Sequence, residues 1–320
     1  MSPRVVSEFD EAAAVLPDCE LHLAIGMFDG VHLGHQAVIQ SALHSASRSK
    51  GITGVLTFHP HPSRLLSPLH CRPRLMIMYP ETKTHVLHNM GVDLVIQKKF
   101  DADLADLSAA DFINLLKRKL PTISALYVGE NFHFGKGRTG DVNFLVNAAG
   151  THGMTVFSVA PIKHNGQIIS STRIRKNLRE GRIEEANALL GRTYFSSGTI
   201  TSGRQVGREL GFPTLNLPWY PELEPCYGVY TVRVASVGAD AAGGKRGVAN
   251  YGVRPTIIQA AMPLLEIHLL ESIDAFGAGD TVIVEWYGFL RRERTFSSRQ
   301  ALIEQIARDK RTAQGYWGLP

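Results

Sequence analysis

The stretch LHLAIGMFDGVHLGHQ (residues 21–36) decides the fold of the first half of the chain. Residues 21–28 form a nearly unbroken apolar run, the mark of a strand buried on both faces. From Leu33 to Ser49 the apolar residues recur at helical spacing, so a helix opens just after that strand. Gly26 and Gly30 stand at the join, where a backbone without side chains can approach a ligand closely. The free N–H groups and positive end of such a helix attract phosphate. His32 and His35 are three residues apart and fall on one side of the first turn. Two imidazoles there can donate hydrogen bonds to a crowded phosphoryl group, a chemistry that needs charge-steadying donors and no covalent nucleophile. Away from this strand–Gly–helix setting, the same pair would read as surface histidines on a helix cap.

Outward from this stretch the alternation continues. GVLTF (54–58), VDLVIQ (92–97), ISALYVG (123–129) and MTVFSVA (154–160) read as strands. Between them Thr82–Met90, Ala109–Leu120 and Val142–His152 read as helices, the second with Phe112, Ile113, Leu115 and Leu116 on one face. Five strands alternating with helices predict an α/β unit with a parallel sheet covered on both faces, whose ligands sit at the carboxyl ends of the strands. Two short helices, Ser171–Glu180 and Ile183–Leu190, end at Gly191. The pattern then changes to short strands around 195–206, 229–235, 246–252, 264–270 and 280–287, separated by Gly and Pro. Strands without interleaved helices predict an antiparallel barrel or sandwich. A helix over Ser298–Asp309, capped by Ser297 or Ser298, closes it. The break near 186–192 gives two expected domains, 1–186 and 187–320.

Composition agrees with a globular, two-domain chain. It has 320 residues, 44% hydrophobic and 20% charged, which excludes disorder, collagen and coiled coil. No apolar run approaches the roughly 18–20 residues of a membrane helix. The start MSPRVVSEFDEAAAV carries acids and lacks the apolar core of a signal peptide, so a cytoplasmic location is expected. The formal charge is +5, with 20 bases against 17 acids up to residue 186 and 14 against 12 after it. So thin a spread, with no basic patch or tail, fits small anionic ligands at least as well as nucleic acid. Cys19, Cys71 and Cys226 are odd in number, widely spaced and outside any CxxC pattern, against a disulfide scaffold or a cysteine zinc site.

Other stretches carry donors. TFHPHP (57–62) places His59 and His61 after a strand; VGENFHFGKGRTGD (128–141) offers Asn131 for a phosphate or ribose, with Phe132 or Phe134 to stack on a flat ring. In ISSTRIRKNLREG (169–181), Ser170, Ser171 and Thr172 can cap a helix and bind phosphate oxygens; Arg173 and Arg175 flank Ile174 and point different ways. A transition metal among the four histidines lacks a spaced cysteine or carboxylate, Asp29 being the nearest. Mg²⁺ arriving with a phosphate ligand fits better, because it prefers phosphate oxygens and water. In GTITSGRQVGRELGFPTLNL (198–217), residues 198–205 nearly spell a P-loop, but Arg204 and Gln205 replace the Lys and Ser/Thr and no helix follows. Gly203, Gly207 and Gly211 instead read as a loop folding over phosphates. Thr214 and Asn216, two apart in an extended segment, face the same way and offer hard oxygens suited to Mg²⁺. In PLLEIHLL (263–270), Leu265, Ile267 and Leu269 share one face and Glu266 and His268 the other, so Glu266 is a candidate base.

Taken in order, FDGVHLGH with its HxGH core, TFHPHP, VGENFHFGKGRTGD, ISSTRIR, GRELGFPTLN, PLLEIHLL and FLRRERTF (289–296) resemble the motifs of the bacterial bifunctional riboflavin kinase/FMN adenylyltransferase family, also called FAD synthetase. The resemblance runs from about residue 20 to 310. It implies a Rossmann-like nucleotidyltransferase domain followed by an antiparallel β-barrel kinase domain. It implies that riboflavin is phosphorylated by MgATP at the C-terminal site, with Glu266 as base and Thr214 and Asn216 as Mg²⁺ ligands. It implies that FMN then receives AMP from a second ATP at the N-terminal site. There His32 and His35 act on the phosphates, and Gly26, Phe28, Asp29, Gly30, His61, Asn131, Ser170, Ser171, Thr172 and Arg175 hold the nucleotide. Gly203, Gly207, Arg208 and Gly211 are implied for the kinase's ATP, and Phe132, Phe134 and Arg291 for flavin. His59 stands where the family often has Asp, Leu215 where it often has Ala, and ANYGVRPT (249–256) departs mildly from ANIGxRPT. No nucleic acid or membrane partner is implied, and the oligomeric state, monomer or weak homo-oligomer, stays open. Two other readings compete. A nucleotidyltransferase for a different acceptor predicts no kinase activity from residues 187–320 alone; a nucleic-acid binder predicts binding that falls steeply with salt.

Overall fold

The computed structural model describes residues 4–67, 73–203, 211–238, 243–253, 263–271 and 275–319. The chain divides into two compact units, Met1–Ser171 and Thr172–Pro320. This division falls earlier along the chain than the break read from the sequence near 186–192.

The first unit is built on a six-stranded parallel sheet. Its strands are β1 (Arg4–Val6), β2 (Leu21–Ile25), β3 (Ile52–His59), β4 (Leu94–Lys99), β5 (Ile123–Gly129) and β6 (Thr155–Val159), in the order β1-β4-β3-β2-β5-β6. The helices are α1 (Phe9–Val15), α2 (Leu33–Ser49), α3 (Ser63–Leu66), α4 (Pro80–Asn89), α5 (Ala102–Asp106), α6 (Ala109–Lys119) and α7 (Val142–Gly150). A two-stranded hairpin, β7 (Lys163–His164) and β8 (Gln167–Ile168), follows. From β2 the chain winds outward through β3 to β4, then crosses back to β5 on the other side of β2. The strand order therefore reverses between β2 and β5, and the crevice beyond their carboxyl ends is where such sheets bind ligands. All five residues of β2 are buried, as its apolar run requires. Leu21, Leu23, Leu56, Ile113, Leu116 and Leu126 meet in one core.

At the amino end of β2, His22 is 5% exposed and tied on both sides. Nδ1 lies 2.9 Å from the Tyr127 hydroxyl and Nε2 2.8 Å from Ser49 Oγ. Burial lowers its pKa, with Glu20 pulling the other way.

The second unit begins with α8 (Ser171–Glu180) and α9 (Ile183–Leu190). The Leu178 carbonyl accepts from Cys226 N, and Asn187 donates from Nδ2 to the Trp286 carbonyl. Those bonds fasten both helices to the strands that follow. The antiparallel sheet contains β9 (Tyr194–Thr199), β10 (Leu215–Pro218), β11 (Gly228–Ser236), β12 (Lys245–Val253), β13 (Pro263–Leu269) and β14 (Thr281–Arg292), in the order β10-β13-β12-β11-β14-β9. Its outer strands meet at one bridge: Thr201 N, just past β9, donates to the Asn216 carbonyl of β10 at 2.9 Å. The sheet so curls toward a barrel, and Tyr230, Tyr251 and Trp286 fill its interior without exposed surface.

Helix α10 (Arg299–Tyr316) starts at the Ser298 cap, as expected, but runs past Asp309. Ala313 is fully buried, so the last turns still have a face to cover. Arg291 of β14 donates from Nε and Nη2 to the Asp309 carboxylate at 2.7–3.1 Å, pinning α10 to the sheet. Asp309→Ala leaves that guanidinium without its partner and should lower the unfolding free energy of this unit by about 3 kcal/mol in urea titration. His22→Gln tests the other unit. Because the folded His22 binds its proton more weakly than its ordinary 6.5, the stability it contributes is complete above that pH and is lost as pH falls below it. The melting-temperature gap between wild type and variant should narrow from pH 7.5 to pH 5.

Candidate active sites

The turn from β2 into α2 crosses the reversal point through an unusual backbone. Phe28 (φ 46°), Gly30 (φ 82°) and Val31 (φ 39°) are all left-handed. Gly30 takes this conformation freely; Phe28 and Val31 pay about 1–3 kcal/mol each for it. Both side chains are buried, Phe28 at 2% and Val31 at 0% exposure, and that packing holds them. The ends of the turn are fastened as well. Val31 N donates to the Phe28 carbonyl at 3.1 Å, and Gln36 Nε2 donates to the Val31 carbonyl at 2.9 Å. Asp29 is 1% exposed, and its carboxylate accepts from Ile77 N at 2.9 Å. Its carbonyl accepts from Ser171 Oγ at 2.9 Å. Asp29 and Ser171, expected at the nucleotide, therefore also build the turn itself.

His32 caps α2, its Nδ1 accepting from His35 N at 3.3 Å. That bond leaves the neutral ring's proton on Nε2, as a donor. The two imidazoles stack with centroids 3.6 Å apart and planes 19° apart. The Phe28 ring meets His35 edge-on at 5.4 Å. The pair thus stands side by side at the amino end of a seventeen-residue helix, where positive potential is greatest.

The neighbouring loops supply the rest. After β3, His61 Nδ1 accepts from Ser63 N at 3.0 Å, which fixes its ring at the start of α3. His59 Nδ1 is buried with no hydrogen-bond partner among the described residues. After β5, Asn131 is exposed, and its carbonyl contacts His133 Nδ1 at 3.0 Å. The two aromatics offered as flavin contacts separate. Phe134 is 8% exposed and packs among Phe112, Phe132 and Phe144, so it belongs to the core. Phe132 is half-buried and stacks on Phe134. In the second unit, Arg175 is 6% exposed, while Arg173 lies 3.9 Å from Glu185.

Lys83 was not among the residues the motifs indicated. It is 1% exposed, in the first turns of α4. Its Nζ donates to the Met27 carbonyl at 3.2 Å and to Thr57 Oγ1 at 2.8 Å. Burial lowers its pKa to about 8, opposed by the charge of Asp29. The sequence held a signal: Lys83 is three and four residues before Val86 and Leu87, so a lysine occupies the apolar face of a helix.

In the second unit the strand register builds a polar row. Asn216 of β10 pairs directly with Glu266 of β13, and Glu266 with Asn250 of β12. Residues directly opposite across strands share a face. Leu217, Leu265, Ile267, Ala249 and Tyr251, alternating with the row, are fully buried on the other face. Gly203 lies over the row: a methyl group there would overlap the Asn216 amide. His268, 4% exposed, contacts the Pro213 carbonyl through Nδ1 at 2.9 Å and steadies the residue before Thr214. Burial lowers its pKa, and the bond to Pro213 opposes that. Asn250 Nδ2 reaches Glu293 Oε1 at 3.3 Å. Arg291, expected at the flavin, pairs bidentately with Asp309. Gly211 is described, but Gly207 and Arg208 lie outside the described residues, as do 254–256 of ANYGVRPT.

Comparison with known proteins assigns each half. Residues 17–173 match the family model for FAD synthetase, and residues 190–317 that for riboflavin kinase. The bifunctional riboflavin kinase/FMN adenylyltransferase of Escherichia coli (strain K12) is 36% identical over 298 residues, 93% of each chain. That of Bacillus subtilis (strain 168) is 36% identical, covering 92% of each. That of Haemophilus influenzae is 34% identical, covering 98% of this chain and 99% of its own. A crystal structure described as a macrolide-efflux protein from Streptococcus pneumoniae superposes with a TM-score of 0.84 at 26% identity, over 98% of this chain and 99% of that one. Among the described residues of this chain, no helix is long and apolar enough to cross a membrane. With both halves matched in order and relatives aligned nearly end to end, this chain belongs to the bifunctional riboflavin kinase/FMN adenylyltransferase family.

Proposed function

We propose that this chain makes FAD from riboflavin in two ATP-dependent steps, one in each unit. What carries the reading is that each family match coincides with its own polar constellation. Residues 17–173 hold the stacked His32–His35 pair at the head of α2, and residues 190–317 hold the Asn216–Glu266 pair across β10 and β13.

In the kinase step, Glu266 accepts the proton of the riboflavin 5′-hydroxyl as that oxygen bonds to the γ-phosphorus of ATP, and ADP leaves. The donor set suits Mg²⁺: the Thr214 hydroxyl and Asn216 amide are hard oxygens, and Gly203 adds no side chain above Asn216. When bound there, Mg²⁺ would offset negative charge on the phosphates. His268, through Pro213, keeps the Thr214 segment beside the row.

In the adenylyl transfer, an FMN phosphate oxygen bonds to the α-phosphorus of ATP and pyrophosphate leaves. His32 donates from Nε2, and His35 stands beside it, so charge shared by the attacking and leaving oxygens meets fixed donors at a helix amino end. His61, Asn131 and Ser170 orient the nucleotide in this reading, and Phe132 is the aromatic left to meet the flavin. We place the enzyme in the cytoplasm, where ATP is at hand; the unpaired Cys19 and Cys226 support a reducing compartment.

Incubation with riboflavin and MgATP should yield FMN and then FAD by chromatography. His32→Ala combined with His35→Ala should stop at FMN. Asn216→Ala or Glu266→Ala should prevent FMN formation while supplied FMN still becomes FAD. If either set blocks both steps equally in folded protein, the two-site assignment is wrong. Gly203→Ala should slow FMN formation by about tenfold or more, equivalent to about 1.4 kcal/mol of barrier, and leave adenylyl transfer within about twofold.

A further inference from the structure

We propose that Lys83 is a positioning residue for adenylyl transfer: from inside the protein it holds the β2–α2 turn in the shape that presents His32, His35 and the helix amides to the nucleotide. The inference rests on the two-step reading above.

Three polar atoms make the contact. Lys83 Nζ donates to the Met27 carbonyl at 3.2 Å and to Thr57 Oγ1 at 2.8 Å, and Thr57 Oγ1 donates to the same carbonyl at 3.0 Å. Met27 is the last residue before the left-handed stretch that starts at Phe28. The triangle therefore fastens the turn at its entry. Ile77, a few residues before Lys83, fastens Asp29 inside the turn at 2.9 Å. A single segment, Ile77–Lys83, thus grips the loop at two points, and α4 carries the second.

Lys83 cannot reach a ligand directly, because it and Thr57 are 1% and 0% exposed. Burying an ammonium is costly, and a methionine would fill the same space without that cost. Space-filling therefore does not account for a cation here. A need for a donor that spans from α4 to a backbone carbonyl in the turn does. Asp29, 1% exposed, is the acidic group whose charge acts on Lys83, and it lies in the turn being held. The depressed pKa agrees with a fully desolvated ammonium beside one carboxylate.

The test uses the full chain with Lys83→Met, Lys83→Arg and Thr57→Val, the last removing only the hydroxyl of the triangle. Lys83→Met should lower kcat for FMN adenylylation about tenfold or more, with KM for ATP within about threefold, because donors aligned for the transition state are lost. Riboflavin phosphorylation should stay within about twofold and serve as the folding control. Lys83→Arg, which keeps a charged donor, should recover part of the loss, and Thr57→Val should show a smaller one. Hydrogen exchange read by mass spectrometry should speed up about tenfold in peptides covering residues 26–36 and not in those covering β5. A purely structural lysine would instead loosen β2 to β6 alike and leave kcat per folded molecule unchanged. Unchanged adenylylation and unchanged exchange in Lys83→Met overturn the proposal. If that variant fails to fold, the same null result in Thr57→Val overturns it. If the wild type makes no FAD from FMN, the functional reading fails, and the exchange measurement alone decides the role of Lys83.

Discussion

The first unit depends on a backbone that would not hold its shape alone. Between β2 and α2 the chain must leave a fully buried strand and enter a helix within a few residues, and it does so with Phe28, Gly30 and Val31 left-handed. Two of these bear side chains that disfavour that conformation. The surroundings supply the difference: apolar packing on Phe28 and Val31, and hydrogen bonds to Met27, Asp29 and Val31 from Gln36, Ile77, Lys83 and Ser171. Strain at this point is the physical counterpart of alignment. A relaxed loop would spread the two imidazoles and the first amides of α2 over many directions, whereas a strained and fastened one fixes them.

The second unit solves the same problem by register. No single turn positions Thr214, Asn216 and Glu266; the ladder does. Pairing between β10 and β13 sets Asn216 opposite Glu266, and a one-residue slip of β10 would turn Asn216 toward the apolar interior. The buried leucines on the reverse face make that slip costly. The chemistry of this unit therefore rests on the same alternation that fills its core.

How much of this the sequence reveals follows from how local each cause is. Helix α2 is legible to the residue, because seventeen residues of helical periodicity and a capping histidine leave no choice. Strand β1 is not: it has three residues, and its reason for being a strand is β4, far along the chain. Strand β10 has four, and only its neighbours make Leu215–Pro218 more than an extended loop. The closeness of His32 to His35 follows from their spacing at the head of one helix, whereas the pairing of Asn216 with Glu266 follows from a strand register that neither stretch shows alone. The pairing of Arg291 with Asp309 is not legible, since the two lie in different elements that only the fold brings together. The packing of Phe134 is hidden for the same reason, since Phe112 and Phe144 lie outside its motif. Lys83 went unnoticed because a lone lysine on a helix ordinarily faces water.

The bridge between Thr201 and Asn216 joins the two outer strands of the antiparallel sheet. Asn216 thus offers its backbone to the seam of the barrel and its side chain to the polar row. One residue therefore belongs at once to the closure of the wall and to the row it carries, so Asn216→Pro, which distorts that strand, should loosen the seam and the row together.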